Sequence, residues 1–379
     1  MTVKRILFLI TSDLRIEQRV NKEIDTLARA GKRITIADMP KAVSADPTPG
    51  VEHVSVKLAS RVLPKNLAFW AVKYLELCVR FITICVLKRP DAIHCLDRLA
   101  LFPGGLGAML TGARLVYDSQ EIWPEVNSSL NRPRWLWLWL ERFFARKCDT
   151  VIVTDEFRKK ITMELLSLQT GCIALMNLPS VRAMVAAKGN IRQDSGFTGL
   201  KIIVYAGAIF PQRHMEDILL CLKHLPEEYG LTLVGFGPDE YIETLRHLAR
   251  SNGLERRVAF LPPVRWNEVP DYLRGADCSV ALYEKNSINN IYCSPSKVFD
   301  SFLAGVPVVG INSPLLLDLA LKLDAVECID NVSPQSIAAA AKKLIDRFSS
   351  AALRGELEEQ ARLHYTWEAQ EAALLNVYF

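Results

Sequence analysis

The sequence lacks most of the short motifs that mark nucleotide-dependent and metal-dependent enzymes. It contains no G-x-x-x-x-G-K-[ST], no H-E-x-x-H and no G-x-S-x-G, and GFGPDE and GGLGAML each fall short of a full G-x-G-x-x-G. It also has no Asp-x-Asp pair that could hold a divalent cation against a diphosphate. These absences disfavour hydride transfer, P-loop hydrolysis and metallohydrolysis. We therefore expect neither a bound metal nor a cofactor.

The cysteines give little sign of disulfide or metal chemistry. The chain has nine, an odd number, and no two form a C-x-x-C pair. Several, including Cys78, Cys85 and Cys221, lie inside apolar runs, where buried thiols usually occur. The pattern argues against a disulfide framework or a zinc site and favours reduced thiols in the cytoplasm.

The sequence also gives no strong signal for secretion or for a membrane span. After Lys4 and Arg5 only five apolar residues follow, which is too few for a signal-peptide core and suits a first strand. The longest apolar region, residues 66–87, is interrupted at helical spacing by Lys73, Glu76 and Arg80. We therefore expect that this region forms an ordinary helix.

Charge is unevenly distributed along the chain, although the formal net charge is only +4. Residues 1–180 carry 26 Lys+Arg against 18 Asp+Glu, a net +8, whereas the remainder carries 20 against 24, a net −4. A basic first half indicates an anionic partner such as a membrane surface or a phosphorylated substrate. Ordinary scatter of charge over a solvated surface is the alternative. We expect no nucleic-acid partner.

Hydrophobic patterning alternates between short strands and helices, which predicts parallel, doubly wound α/β sheets. The predicted strands are 5–11, 33–38, 91–97, 113–119, 149–154, 200–207, 231–237, 257–262, 278–283 and 306–311. The polar, Gly-rich stretch 189–199 is typical of a linker. We therefore predict two Rossmann-like domains, 1–188 and 200–354, facing a central cleft, followed by a helical segment at 355–379.

The stretch SPSKVFDSFLAGVPVV, residues 294–309, predicts a helix that leads into a buried strand. Ser294 is a good N-cap and Pro295 suits the first helical position, so the N–H groups of residues 295–297 would be free to bind a phosphate. Lys297 can add positive charge. Asp300, one turn further on, can accept two hydrogen bonds from a vicinal diol such as a ribose. A capping role or a pair with Lys297 is the structural alternative for Asp300.

Several longer stretches, taken in order, are typical of one family. The second half contains YAGAIFPQRHMEDILLCL, LTLVGFGPDEYIETLRHLARSNGLERRVAFLPPV and VPDYLRGADCSVALYE, followed by the stretch just described. The first half contains TSDLRIEQRVNKEIDTLARAGKRITI and LVYDSQEIWPE, and the end reads YTWEAQEAALLNVY. This ordered set resembles the GT-B glycosyltransferases, specifically the retaining family 4, over nearly the whole chain. The resemblance implies an acceptor-binding first domain, a donor-binding second domain and a last helix that crosses back to the first.

The resemblance implies a nucleotide-sugar site in the second domain. Asp300 stands where the family has a ribose-binding glutamate, one methylene longer. Ser296 and Lys297 take up the turn that faces the donor sugar and its phosphates. Arg213 matches a basic residue that neutralises the diphosphate.

Glycines and one loop complete the implied donor site. Gly207 follows the first strand of the second domain, and Gly235 and Gly237 follow the next; all three would let the backbone approach the phosphates. Pro263 and Val264 lie where the family's backbone reads the nucleobase.

The chain departs from the family pattern at three positions. A second glutamate of the family falls at Tyr292, and an arginine at the exit of the first strand falls at Ala208, so one diphosphate contact is missing. A histidine that touches the transferred sugar falls at Gln120. A glutamine can still donate a hydrogen bond, but it cannot act as an acid or a base.

Other acceptor-side candidates lie in the first half. Asp13 and Arg15 follow the first strand, where a helix-start salt bridge is an equally good interpretation. Asp118 and Glu121 belong to the YDSQE stretch. His94 lies near a strand end, where a histidine is more often a satisfied core residue than a catalytic one.

The expected reaction is transfer of a sugar from a nucleotide-diphosphate sugar to a hydroxyl acceptor. Arg213 and Lys297 would stabilise the leaving diphosphate, and Gln120 and Asp13 would act near the sugar. The family precedent is retention without a metal, with domain closure around both substrates. A nucleotide-sugar 2-epimerase and a non-catalytic nucleotide-sugar-binding assembly partner are the alternatives. The sequence leaves open which sugar, base and acceptor are used.

Two basic, aromatic segments indicate a membrane surface as the place of action. Residues 132–147 read RPRWLWLWLERFFARK, and residues 61–89 combine Phe69, Trp70 and Phe81 with six Lys and Arg residues. Tryptophan favours the headgroup level of a bilayer, and Lys and Arg favour anionic lipid. We expect a peripheral enzyme at the inner face of the cytoplasmic membrane that uses a lipid-linked or glycan acceptor in surface polysaccharide or glycolipid assembly. The alternative is that the aromatic residues belong to the core.

Overall fold

The structure is a computed structural model, and it describes residues 3–39, 50–64, 66–122 and 133–379. The chain divides into two compact units. The first comprises Met1–Met176 together with Gln370–Phe379, and the second comprises Asn177–Ala369.

The described part of the first unit contains a parallel sheet of seven strands: β1 (Arg5–Leu9), β2 (Arg33–Asp38), β3 (Val51–Ser55), β4 (Ala92–Leu96), β5 (Arg114–Asp118), β6 (Thr150–Val153) and β7 (Cys172–Ala174). Their order is β3-β2-β1-β4-β5-β6-β7, and every pairing is parallel. The helices are α1 (Gln18–Arg29), α2 (Leu67–Lys88), α3 (Asp97–Thr111), α4 (Arg134–Ala145) and α5 (Glu156–Leu166).

Buried apolar strands explain this architecture. β1 reads RILFL and β4 reads AIHCL; all of β4 and the last four residues of β1 are buried. Strands that are covered on both faces are typical of parallel sheets between two helical layers. Because all strands run in the same direction, the residues that follow β1, β4 and β5 share one edge of the sheet.

The second unit repeats this design with a six-stranded parallel sheet: β8 (Lys201–Ala208), β9 (Tyr229–Phe236), β10 (Val258–Leu261), β11 (Cys278–Ala281), β12 (Val308–Ile311) and β13 (Val326–Ile329). Their order is β10-β9-β8-β11-β12-β13. The first helices are α6 (Ile191–Ser195), α7 (Met215–Leu220), α8 (Asp239–Ser251), α9 (Val269–Leu273) and α10 (Ile288–Ile291). They are followed by α11 (Ser296–Leu303), α12 (Pro314–Leu323), α13 (Pro334–Arg347), α14 (Ala351–His364) and α15 (Trp367–Val377).

The predicted fold class, two Rossmann-like doubly wound α/β domains, is confirmed, but three strands were missed. β3 reads VEHVS and lies at one sheet edge, β7 has three residues and lies at the other, and β13 reads VECI at an edge of the second sheet. Edge strands are short and carry polar residues, so their sequence signal is weak.

The predicted linker at 189–199 belongs to the core of the second unit in the structure. It contains α6, and the side chains of Ile191 and Phe197 are buried in a cluster with Ile202 and Val204 of β8. The two units meet in the chain at Met176 and Asn177, and the final residues, 370–379, belong to the first unit.

Candidate active site

Helix α11 begins one residue later than the sequence predicted. Pro295 is the N-cap, and the helix starts at Ser296. Ser294, which was expected to cap the helix, has a buried Oγ without a hydrogen-bond partner among the described residues. Proline has no N–H, so the prediction of free donors at 295–297 was wrong for Pro295. The first-turn donors are the N–H groups of Ser296 and Lys297.

The side chain of Lys297 lies across an aromatic ring at the carboxyl end of β8. Its Nζ is 3.8 Å from the ring centroid of Tyr205 and 5.6 Å from that of Tyr283. A Cβ added to Gly207 would stand 3.3 Å from this Nζ, so the glycine leaves room for the ammonium group. Gly207 also has φ +138°, a conformation that side-chain-bearing residues rarely adopt. A cation is therefore fixed against the backbone where β8 ends.

This environment lowers the pKa of Lys297 to about 7. Burial is the main cause, because surroundings of low polarity disfavour the charged form, and the positive charge of Arg213 adds to the effect. Cys293 and Asp300 act in the opposite direction. An anion bound beside Lys297 would favour its protonated form.

Arg213 is the second cation at this edge of the sheet. It ends a short 3-10 turn, Pro211–Arg213, and its guanidinium carbon is 4.1 Å from the ring centroid of Tyr283. Tyr283 is therefore an aromatic neighbour of both Arg213 and Lys297, and such contacts stabilise cations through the ring quadrupole.

Sequence reasoning missed the two tyrosines that support these cations. Burial raises the pKa of Tyr205 to about 12 and also raises the pKa of Tyr283, so both are neutral phenols. The Oη of Tyr205 donates a hydrogen bond to the carbonyl oxygen of Ala208 at 2.7 Å. The available signal was an aromatic residue near the end of two predicted strands, in YAG and in ALY.

Asp300 lies on the same helix as Lys297, three residues further along, and is half-buried. Its negative charge raises the pKa of Lys297, so the carboxylate acts on the same ammonium group. Asp300, Ser296, Lys297, Gly207 and Arg213 thus belong to one part of the second unit.

The other predicted glycines have a packing role. Gly207 pairs with Gly235 across β8 and β9, and a Cβ on Gly235 would lie 1.8 Å from the carbonyl oxygen of Gly207. A Cβ on Gly237 would lie 2.2 Å from the carbonyl oxygen of Ile209. These distances exclude any side chain, so close packing of the two chain segments is sufficient reason for both glycines.

The predicted nucleobase-reading residues lie in the loop after β10. Pro263 is exposed, and Val264 packs against the core cluster of the second unit. A nearby pocket of about 430 Å³ is lined by residues that do not include either of them: Ile209, Gly235, Asp239, Ile242, Glu243, Arg246, Phe260, Leu261 and Pro262.

Asp13 and Arg15 form a local ion pair in the first unit. The buried carboxylate of Asp13 accepts hydrogen bonds from the backbone N–H and Nε of Arg15, at 3.1 and 2.8 Å. Asp13 is the N-cap of a 3-10 turn, Leu14–Ile16, that precedes α1. This is the helix-start salt bridge that the sequence left as an alternative, and Asp13 also interacts with further groups.

Asp118 belongs to a buried network of charged groups. Arg19 donates to Asp118 Oδ1 at 2.8 Å through NH2 and to Glu23 Oε1 at 3.0 Å through Nε. Burial by itself would raise the pKa of Asp118, but Arg19 and His94 bring the pKa below its usual value. Burial and the charge of Asp118 raise the pKa of Glu23.

His94 occupies the core position that sequence reasoning favoured. Its ring is fully buried and stacks on Phe8 with centroids 4.4 Å apart. The Nδ1 atom lies 2.6 Å from the Oη of Tyr378, while Nε2 faces Glu23 Oε2 at 3.5 Å and Asp118 Oδ2 at 3.9 Å.

One group among the described residues has the composition of a metal site. Ligand atoms of Glu23, His94 and Asp118 lie within 4.8 Å of one another. Arg19 already donates to both carboxylates, so a positive charge is present in the cluster.

Gln120 is held on three sides. Its Nε2 donates to Asp118 Oδ2 at 3.1 Å, its backbone N–H donates to Asp97 Oδ1 at 3.3 Å, and its carbonyl oxygen accepts from Arg158 NH1 at 2.5 Å. The backbone carbonyl of Glu121 accepts from the hydroxyl of Ser119 at 3.1 Å. The Trp-Pro-Glu end of the predicted motif, residues 123–125, lies outside the described residues.

Helix α4 exposes part of its aromatic sequence. Trp135 is 72% exposed and Trp139 is 59% exposed, whereas Trp137 is buried against Trp70 and Tyr74. The tryptophans therefore occupy more than one face of the helix. The exposed face ends in a basic cluster, Arg146 and Lys147, with Lys147 Nζ 4.9 Å from the ring of Phe143.

Helix α2 also carries exposed apolar side chains. They are Val72, Leu75, Val79, Val86 and Leu87. None of the helices within the described ranges combines the length and the hydropathy needed to cross a bilayer. Lys65 and Arg132 of the predicted basic segments lie outside the described residues.

The chain belongs to the GT-B class of glycosyltransferases, because it has two Rossmann-like units and each of them matches a glycosyltransferase family. Within that class it is a family 4-like glycosyltransferase: residues 16–160 match the family described as Glycosyl transferase 4-like domain, and residues 187–364 match Glycosyl transferases group 1.

Curated relatives match about half of the chain. The D-inositol 3-phosphate glycosyltransferase of Xylanimonas cellulosilytica is 25% identical over 203 residues, 53% of this chain and 47% of the relative. The GDP-mannose-dependent alpha-(1-6)-phosphatidylinositol monomannoside mannosyltransferase of Mycobacterium tuberculosis is 25% identical over 196 residues, half of each chain. The chain thus spans about half the length of the curated relatives it matches.

A solved structure of similar fold is Anabaena HepE in complex with UDP. It superposes with a TM-score of 0.72 at 16% identity, covering 97% of this chain and 98% of HepE. At this identity the likeness shows the fold alone.

Proposed function

We propose that this chain transfers a sugar from a nucleotide-diphosphate sugar to a hydroxyl acceptor. The observation that carries the proposal is the pair of cations near the carboxyl end of β8: Lys297 lies against Gly207, and Arg213 shares the ring of Tyr283 with it. Ligands of open α/β sheets bind at this end of the strands. The N–H groups at the start of α11 add donors and a favourable helix dipole for a phosphate.

Lys297 compensates for the arginine that the family pattern has at position 208. Alanine occupies that position, but the Nζ of Lys297 lies against the neighbouring Gly207. A positive charge is thereby present where the first strand of the second unit ends. The donor site would thus hold two cations although one expected arginine is absent.

Asp300 is proposed to bind the ribose of the donor. The proposed base is guanine or uracil, because the mycobacterial relative is named as GDP-mannose-dependent and HepE was solved with UDP. Pro263 and Val264 are proposed to lie beside the base, and Gly235 and Gly237 to shape the backbone there.

The proposed mechanism depends on stabilising the leaving group. As the nucleoside diphosphate departs, negative charge grows on its phosphate oxygens and positive charge on the sugar. Arg213, Lys297 and the α11 amides stabilise the former without a metal ion. The acceptor hydroxyl attacks on the face that the diphosphate leaves, the departing phosphate takes its proton, and configuration is retained.

The first unit is proposed to supply the acceptor-side groups, which are Asp13, Arg15, Asp118, Gln120 and Glu121. Asp13 remains a candidate although Arg15 already pairs with it, because it lies in the segment between β1 and α1, on the carboxyl side of the strand.

A peripheral position at the inner face of the cytoplasmic membrane is proposed from the surface of α4. Exposed Trp135 and Trp139, followed by Arg146 and Lys147, suit the headgroup level of an anionic bilayer. The acceptor would then be a lipid-linked or glycan substrate of surface polysaccharide or glycolipid assembly.

The test is product formation. A thermal-shift panel of nucleoside diphosphates first selects the base, because a ligand that binds only the folded state raises the apparent stability. The corresponding nucleotide sugars are then incubated with hydroxyl acceptors and with glycolipid extracts. A new glycoside with release of nucleoside diphosphate supports the proposal. A 2-epimerised sugar without an acceptor product, or binding without turnover, would support one of the two alternatives instead.

A further inference from the structure

A chain of charge-assisted hydrogen bonds lies directly behind Gln120. The two oxygens of Asp118 have different partners: Oδ1 accepts from Arg19 NH2 at 2.8 Å, and Oδ2 accepts from Gln120 Nε2 at 3.1 Å. Arg19 is itself held by Glu23 at 3.0 Å. Arg19 and Asp118 are both almost completely buried. The Oδ1 atom of Asp118, on the side away from Gln120, is therefore held by an arginine, which can only donate hydrogen bonds.

The ionised state of Asp118 decides how the amide of Gln120 must point. Arg19 keeps the pKa of Asp118 below its usual value in spite of burial. An ionised carboxylate only accepts hydrogen bonds, so the amide has to turn its NH2 group toward Asp118. The carbonyl oxygen, Oε1, then points away from the network.

The backbone of Gln120 is also restrained. Its N–H donates to Asp97 Oδ1 and its carbonyl accepts from Arg158. Asp97 has φ +59°, an uncommon conformation for a residue with a side chain. Within the described residues no group donates a hydrogen bond to Gln120 Oε1.

We propose that Arg19 and Asp118 are positioning residues that fix the amide of Gln120 so that its Oε1 accepts a hydrogen bond from a hydroxyl group of the carbohydrate substrate. The inference rests on the proposed function and deepens it, because it changes the expected role of Gln120 from donor to acceptor. A neutral histidine at position 120 would donate its single ring N–H to Asp118. Its other ring nitrogen would be unprotonated and would likewise accept a hydrogen bond. Glutamine would thus reproduce the acceptor of the family's histidine without its acid–base chemistry.

The test reverses the hydrogen bond between the two side chains. In Asp118→Asn, Arg19 retains the Asn oxygen, so the Asn NH2 group faces Gln120 and forces its amide to turn over. We expect kcat/KM to fall at least tenfold, as in Gln120→Leu. In the double variant Asp118→Asn with Gln120→Glu, the Asn NH2 group donates to one oxygen of the Glu carboxylate. The second carboxylate oxygen then faces outward and can accept a hydrogen bond, as Gln120 Oε1 does in the parent. This variant should recover at least fivefold of the loss.

Asp91→Asn is the matched control. Asp91 directly precedes β4, outside the proposed site, and accepts hydrogen bonds from Arg5 Nε at 3.3 Å and NH2 at 2.9 Å. It should lower Tm and leave kcat/KM unchanged. If the double variant is as slow as Asp118→Asn while both remain folded, or if kcat/KM follows Tm in all variants, the network is only structural and the proposal is overturned.

A second readout separates this proposal from the proposed function. The side-chain amide protons of Gln120 are identified by NMR from their absence in Gln120→Leu. The proposal predicts slow exchange in the parent protein and fast exchange in Asp118→Asn. If the parent forms no product but shows this difference, the proposed function fails and the amide orientation stands. Fast exchange in the parent would overturn the orientation itself.

Discussion

The ammonium nitrogen of Lys297 lies 3.8 Å from the ring centroid of Tyr205, although the two residues are far apart in the chain. The ring covers one side of the ammonium group, and Gly207 leaves space for it at the end of the strand. Burial and the neighbouring Arg213 lower the pKa of this lysine to about 7. The side-chain amine of Lys297 is therefore held in one position, and its protonation depends on what binds beside it.

The first prediction concerns pH. Because Lys297 loses its proton above about pH 7 in the free protein, while a bound diphosphate favours the ammonium form, binding should take up protons. Affinity for UDP or GDP should fall by up to roughly tenfold per pH unit above pH 7, since one protonation is linked to binding. Calorimetric titrations in buffers of different ionisation enthalpy measure the proton uptake.

Two lysine variants control this experiment. Lys297→Met should abolish the linked proton uptake and leave only the titration of the nucleotide itself. Lys342→Met changes an exposed lysine that is paired with Asp346, and it should behave as the parent does. Equal proton uptake in the parent and in Lys297→Met would exclude Lys297 from the diphosphate site.

The second prediction concerns Asp300. Asp300→Ala should weaken nucleoside diphosphate binding by about 2–3 kcal/mol, because hydrogen bonds from both ribose hydroxyls to a charged acceptor are lost. This corresponds to roughly 30- to 160-fold in Kd. Asp318→Ala removes a carboxylate of α12 that pairs with Lys322 and serves as the control. An unchanged Kd in Asp300→Ala would mean that the acid has only a structural role.

The third prediction concerns metal ions. With Arg213 and Lys297 neutralising the diphosphate, product formation should continue in excess EDTA. The measurement is the initial rate of nucleoside diphosphate release before and after chelation, followed by addition of Mg²⁺ or Mn²⁺. A rate that is lost in EDTA and returns with either ion would refute the metal-free mechanism.

The fourth prediction concerns the surface of α4. The parent protein should float with anionic vesicles at low salt and remain at the bottom with neutral vesicles or at high salt, because screening weakens attraction to charged lipid. Replacement of Trp135 and Trp139 by Ser should abolish flotation. Trp266→Ser, at a partly exposed tryptophan of the second unit, should not. If the parent protein does not float with anionic vesicles at low salt, the membrane proposal is contradicted and a water-soluble acceptor is favoured.

The fold was predictable because it is encoded locally. The alternation of apolar strands with helices predicted parallel doubly wound sheets, and the central strands, such as β1, β8 and β12, were found within a few residues of their bounds. The start of α11 was misplaced by one residue. The local preference for a serine cap favoured Ser294, but Pro295 is the N-cap in the structure. Edge strands such as β13 were missed because their few residues are partly polar.

The contacts that give the candidate site its properties are not local. Arg213 and Lys297 were singled out from the sequence, but the tyrosines beneath them come from β8 and from the residues after β11, and only the fold brings them together. The bond from Arg19 to Asp118 joins residues 99 apart. No periodicity or motif reports such a pairing, so the lowered pKa of Lys297 and the restraint on Gln120 required the structure.

The most direct test of the central claim separates turnover from binding at Arg213. If Arg213 stabilises the charge that develops on the departing diphosphate, Arg213→Ala should lower kcat by a much larger factor than it raises the Kd for the nucleoside diphosphate. Arg250→Ala, at an exposed arginine paired with Glu243, should change neither quantity. The account predicts a loss of at least a hundredfold in kcat, about 2.7 kcal/mol, with less than a tenfold change in Kd. An unchanged kcat in Arg213→Ala would contradict it.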